Sequence, residues 1–141
     1  MIQPDGKIVV GGFARSAITR YALARMNPDG TFDKSFGTGG LVNTNFSGQD
    51  DFAHALALQA DGKIVVAGQV TSPSRGDFGI ARYRPDGTLD AFGSGGIEQI
   101  DFFGNFDAAF DVAIQPDGKI VAAGSAVNGT GGGLAIARIV P

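Results

Sequence analysis

The single histidine of this chain, His54, lies just after two aspartates, Asp50 and Asp51. An imidazole held by a carboxylate can act as a general base, provided a partner positions it. The position 56 residues further on holds Phe110. His54 therefore reads as a partly buried structural residue on an inner strand rather than as a catalytic base. Other carboxylates raise the calcium question: Asp29 and Asp33 in NPDGTFD, Asp86 and Asp90 in RPDGTLD. They lack the alternating acidic spacing of a calcium loop. Aspartate followed by glycine is ordinary turn chemistry, with Asp capping the turn and Gly supplying positive φ. Arg25, Arg82 and Arg138 recur on otherwise apolar segments. The expectation is an ion pair with Asp33 and Asp90 that fixes a long loop, not a ring of ligand-binding arginines. Gly39-Gly40 and Gly95-Gly96 are not phosphate loops, since neither Lys-Ser/Thr nor a helix follows. No cofactor and no metal is implied.

Composition narrows the classes further. The chain has 141 residues, of which 23 are glycine and 18% are charged, with a net charge of −3. So much glycine suits many tight turns and an all-β fold. No basic patch is present, so neither nucleic acid nor a membrane surface is an expected partner. The absence of cysteine excludes disulfides, thiolate chemistry and a Cys-based zinc site. No apolar run approaches the roughly 18 residues of a membrane helix. The N-terminus shows no signal-peptide pattern.

The elements that would position these residues come from an internal repeat. Ile2, Leu58 and Ile114 are equivalent at a spacing of 56 residues, and IQPDGKIVVGG returns as LQADGKIVVAG and IQPDGKIVAAG. LARMNPDGTFD (23–33) matches IARYRPDGTLD (80–90), and FGTGGLVNTNF (36–46) matches FGSGGIEQIDF (92–102). The chain is read as one repeat domain, 1–141, with units 2–57, 58–113 and a partial unit 114–141. Each full unit reads as four strands, here lettered a to d: AHALALQ, KIVVAG, FGIARYR and GIEQIDF. Gln-Pro-Asp-Gly suits a type I turn whose glycine closes a three-residue hairpin between a and b. Strands a and b are apolar on both faces, which requires cover on both sides. Strand d is polar and reads as an edge. The expected fold is an all-β, β-propeller-like tandem repeat of four-stranded antiparallel blades, about two and a half units long. A β-solenoid is the alternative, although its repeats are usually shorter.

The phrases IQPDGKIVVGG and ARYRPDGTLD, with FGSGG and the phenylalanine that closes strand d, resemble the bacterial delta-sixty repeat. That repeat is similar to NHL-type and other propeller-forming repeats. The resemblance implies tandem repeats in large exported or surface proteins, with no established single activity and no catalytic residues to carry over. An extracellular or cell-surface location is what it implies here. Family members commonly carry many units, whereas this chain has two and a half. A ring needs about four blades, so the chain is expected to be either a piece of a longer protein or a unit that completes its ring with other copies, and in either case its apolar end faces should drive self-association.

Comparison between units separates two kinds of connection. The a–b turns and c–d loops are nearly constant. The b–c loops (13–20, 69–77, 125–133) and the d–a turns (47–54, 104–111) diverge. In an up-and-down blade the divergent connections share one face, where binding usually resides. Arg15, Arg20, Asp50, Asp51, His54, Arg75, Asp107 and Asp111 are the candidate binding residues. The expected function is a non-enzymatic scaffold for a protein or glycan. A propeller lyase or hydrolase, or a purely structural spacer, is the alternative.

Overall fold

A computed structural model describes residues 1–46, 48–72 and 75–140. The chain forms ten strands: β1 (Ile8–Arg15), β2 (Thr19–Met26), β3 (Leu41–Thr44), β4 (Phe52–Leu58), β5 (Ile64–Ser72), β6 (Arg75–Tyr83), β7 (Ile97–Ile100), β8 (Asp107–Ile114), β9 (Ile120–Val127) and β10 (Gly132–Ile139). They make three antiparallel sheets in the orders β1-β2-β3, β4-β5-β6-β7 and β10-β9-β8. These are blades 1, 2 and 3. Blade 2 has all four strands. Blade 1 carries b, c and d, with strand a reduced to the bridge between Ile2 and Ile8, and blade 3 carries a, b and c. Among the described residues no helix is long and apolar enough to cross a membrane.

Local sequence explains the hairpins. In each a–b turn the glycine donates to the glutamine carbonyl three residues back, and the glutamine N–H bonds the lysine carbonyl four residues on; for Gln59 these distances are both 2.9 Å. Gly62 adopts φ +83° to close the turn, as expected from Ala-Asp-Gly. The polar d strands, β3 and β7, are short edges of four residues. Short, polar edges limit unwanted pairing.

The blades stack face to face in one direction. The front face of blade 1, carrying Tyr21 and Leu23, packs on the back face of blade 2, carrying Val66 and Ala81. The front face of blade 2, with Phe78 and Ile80, packs likewise against Ala122 of blade 3. The two-sided apolar pattern of strands a and b thus finds cover on both sides in blade 2. At the ends the same positions are bare. Val66 is 0% exposed but its counterpart Val10 is 50% exposed, and Phe78 is 0% exposed but Leu134 is 80% exposed.

Two sequence readings need correction. The b–c segments are hairpins of long strands rather than loops: β5 continues to Ser72 and β6 begins at Arg75. Main-chain pairing persists there because the residues facing each other, such as Val70 and Asp77, still sit in register. Pro73 and Ser74, at the tip of that segment, lie outside the described residues, as do Ser47 and Pro141. The unit boundaries at 57/58 and 113/114 fall inside β4 and β8, whereas the sheets change between β3 and β4 and between β7 and β8. The repeat period is the same, but the blade starts several residues earlier than the repeated phrase.

Candidate functional site

The constant end of the stack is held by repeated ion pairs, as the spacing of Arg and Asp leads one to expect. Arg25 Nε lies 2.8 Å from Asp33 Oδ2, and Arg82 Nε lies 2.8 Å from Asp90 Oδ2. Each guanidinium also covers a phenylalanine ring, Phe36 and Phe92, at 4.6 Å from the centroid. Arg25 Nη1 donates to the Pro85 carbonyl of the next blade at 2.5 Å. The Ser35 hydroxyl and then Lys7, 3.0 Å away, hold Asp33 well below the usual carboxylate range. These arginines are committed to the c–d loops. Arg138, in a blade without a described c–d loop, is exposed.

The divergent end brings the candidate binding residues together only in part. Asp51 and Asp107 are buried, at 0% and 1% exposure, so they do not form a binding surface by themselves. Each closes the blade-to-blade connection. Asp51 accepts from Phe46 N at 2.9 Å and Thr71 N at 3.2 Å, and Asp107 from Phe102 N at 2.8 Å and Val127 N at 3.3 Å. A carboxylate that accepts two buried main-chain donors prevents an unpaired N–H, which is costly. Asp50 accepts from Thr19 N at 2.5 Å; that bond, with Arg15 nearby, lowers its pKa. Arg15 and Arg20 line one small pocket of about 110 Å³ with Ser16 and Asn43. Arg75 lies 3.3 Å from Asp101 and 3.8 Å from Asp77. Asp111 is exposed and accepts from the next N–H, Val112, at 2.8 Å.

His54 is an exposed residue, not a partly buried one. It sits at a β-bulge in β4, between the paired residues Ala53 and Ala55, and Phe110 occupies the matching bulge in β8. The extra residue of a bulge leaves the ladder, which turns its side chain away from the packed faces. The two rings lie 5.3 Å apart. Partial desolvation lowers the His54 pKa, favouring the neutral imidazole at pH 7. Among the described residues no carboxylate hydrogen-bonds its ring.

A larger cavity lies at the other end, where the a–b turns of all three blades converge. It encloses about 700 Å³, and Gln3, Gln59 and Gln115 line it together with Leu58, Ile114 and Pro116. That volume is within the range of small-molecule sites. The Oε1 atom of each of the three glutamines is buried with no hydrogen-bond partner. Buried polar atoms are normally satisfied; these three, at equivalent positions, are closed to solvent. This phrase also carries the family. Residues 3–36, 59–92 and 115–141, more than half of the chain, match the β-propeller domain of unknown function DUF5122. The chain belongs to this family. Each DUF5122 match begins at one of the cavity glutamines and takes in the turn and strands b and c; the first two also contain an Arg–Asp–Phe cluster. Those two stop before strand d, so His54, Asp101 and Asp107 fall between DUF5122 segments. No curated protein matches the chain.

Sequence reasoning passed over the glutamines because they stood inside a turn phrase that folding already explained. Their fixed place in all three units was the available signal. It also passed over Asp77 and Asp101. These replace Arg20 and Asn45 at equivalent positions, a change of charge from one unit to the next.

Proposed function

We propose that this chain is a non-enzymatic propeller module that holds a glycan, or a polar segment of a protein, at its constant end. The observation that carries this reading is the cavity of about 700 Å³ lined by Gln3, Gln59 and Gln115 from three equivalent turns. Glutamine side chains beside Leu58, Ile114 and Pro116 give the cavity a mixed polar and apolar lining, which suits a ligand with hydroxyl groups on an apolar ring face. No general acid or base is matched to the site. Asp61 at its rim is held below its ordinary pKa by the Lys63 ammonium, which keeps it ionised. The resemblance to delta-sixty repeats supports a bacterial, exported or surface-bound setting for such a module.

The same reading includes completion of the ring by further blades of this repeat. The bare front face of blade 3 matches what blade 2 presents to blade 3, and the bare back face of blade 1 matches what blade 2 presents to blade 1. Front-to-back contacts of this kind are heterologous and close only when the rotation permits. Light scattering of the 141-residue chain should therefore report a species larger than one copy; a monodisperse monomer at low concentration would overturn this part.

Calorimetric titration with a panel of neutral and acidic oligosaccharides tests the ligand. Saturable binding is expected, weakened at least tenfold by Gln59→Ala with Gln115→Ala and unchanged when residues 125–133 become a Gly/Ser loop. Dependence on that loop instead would move the site to the divergent end, and cleavage of any oligosaccharide would overturn the non-enzymatic reading.

A further inference from the structure

Two junctions on the divergent end have the same framework and different charge. Between blades 1 and 2 the three facing positions are Arg20, Asn45 and Asp51; between blades 2 and 3 they are Asp77, Asp101 and Asp107. The main-chain bonds are conserved from one junction to the other. Gly48 N donates to Asn45 Oδ1 at 2.8 Å, and Gly104 N donates to Asp101 Oδ1 at 2.5 Å. The difference lies in the remaining atoms. Asn45 Nδ2 donates to Asp51 Oδ2 at 3.3 Å. Asp101 offers a second oxygen where Asn45 offers that donor.

The result at the second junction is three carboxylates around one point. One oxygen from each of Asp77, Asp101 and Asp107 lies within 4.8 Å of the other two. Asp77 and Asp107 are buried, at 2% and 1% exposure, while Asp101 opens to solvent. Asp77 Oδ2 accepts from Gln99 Nε2 at 2.5 Å, but Asp77 Oδ1 is buried without any hydrogen bond. The nearby cation among the described residues is Arg75, half-exposed, with Nη1 3.3 Å from Asp101 Oδ2 and Nε 3.8 Å from Asp77 Oδ1. One guanidinium at these distances leaves the group two charges short of neutrality, and buried charge without compensation is expensive.

We propose that Asp77, Asp101 and Asp107 bind a calcium ion at the junction of blades 2 and 3. Calcium takes oxygen ligands at about 2.3–2.6 Å, so oxygens up to about 5 Å apart can share one ion. The donors are all carboxylate oxygens, a set that suits a hard cation and not zinc. Asp77 Oδ1 supplies the acceptor that lacks a donor, and the exposed side at Asp101 gives the ion its entry and room for water. This site is separate from the Asp-Gly turns, whose carboxylates are occupied by the following N–H groups.

The test is calorimetric titration of the metal-stripped 141-residue chain with CaCl2, paired with thermal melts in CaCl2 and in EDTA. One saturable site is expected, with a higher Tm in calcium and at least tenfold weaker binding of MgCl2. Asp101→Asn recreates the residue that blade 1 carries at the same place, and it should weaken calcium binding at least tenfold. Asp86→Asn, in a turn, should leave binding unchanged. Absence of a saturable signal in the unmodified chain would overturn the proposal, as would unchanged binding in Asp101→Asn or loss of binding in Asp86→Asn. Should Asp101→Asn not fold, Asp77→Asn must show the same weakening.

Discussion

Blade 2 and its two neighbours are built from the same phrases, yet they live in different surroundings. Val66 and Phe78 are sealed between blades, whereas Val10 in blade 1 and Leu134 in blade 3 face outward. The glycines of strand b show the same contrast. A Cβ on Gly68 would lie 1.9 Å from the Phe52 carbonyl, and one on Gly124 would lie 1.9 Å from the Ala108 carbonyl, but one on Gly12 would touch nothing within 4 Å. The comparison teaches that a repeated residue has no fixed energetic weight. Its weight is set by what its neighbour blade or strand brings to it.

The sharpest way to break this comparison is at those glycines. Gly68→Ala and Gly124→Ala drive a methyl into backbone, so each should cost about 4 kcal/mol or more. Gly12→Ala should be within about 0.5 kcal/mol of the parent in denaturant unfolding of the isolated chain. Equal losses at all three positions would mean that strand b of blade 1 is covered after all.

Next in size is the front face. Phe78→Ala empties a fully buried site and should cost about 3–5 kcal/mol, while Leu134→Ala should change the stability of one copy by about 0.5 kcal/mol or less. If copies stack front to back, Leu134→Ala instead lowers the association constant, read by light scattering over a dilution series. A smaller effect belongs to Tyr21, whose hydroxyl donates to the Gly79 carbonyl at 3.0 Å across the first junction. Tyr21→Phe removes that bond and copies the aromatic ring that blade 2 uses at Phe78. A loss of about 1 kcal/mol is expected in urea unfolding.

The smallest effect distinguishes the two c–d loops by pH. Asp33 is held well below the usual carboxylate range, first by the Ser35 hydroxyl and then by Lys7. Asp90 is also lowered: burial pushes it up, but Arg82 and Lys63 outweigh that. The loop around Asp90 has Ala91 where the other has Lys34-Ser35, and its lysine is 3.8 Å away rather than 3.0 Å. A depressed carboxylate pKa contributes stability that is complete above the unfolded value, near 4, and is lost as pH falls through the folded value. Both loops should therefore loosen below about pH 4, with Asp90 titrating at a higher pH than Asp33. Carboxyl chemical shifts followed from pH 5 to pH 1.5 would show the order.

The hairpins were legible because their determinants are local. Gln-Pro-Asp-Gly fixes its own turn, and Arg25 announces Asp33 by appearing with it twice. The blade stack was legible because strands apolar on both faces have few ways to be covered. The burial of Asp51 and Asp107 was hidden because acids in a variable, Gly-rich stretch look solvated. Their burial depends on N–H groups that arrive from separate segments, such as Phe46 and Thr71 for Asp51. The bulge at His54 was equally hidden, since nothing in Phe-Ala-His-Ala announces an extra residue. The cavity required knowing that three turns meet, which no single turn encodes.

The one-directional packing of the blades carries a consequence for lineage. Each junction uses the front of one repeat and the back of the next, so insertion or deletion of a whole 56-residue unit creates no new kind of contact. Length can then drift by duplication and loss while every surviving interface keeps its parts. What such events do change is how many a–b turns, and so how many glutamines, meet at the constant end of the stack. Selection on that number would act on the count of copies rather than on any residue.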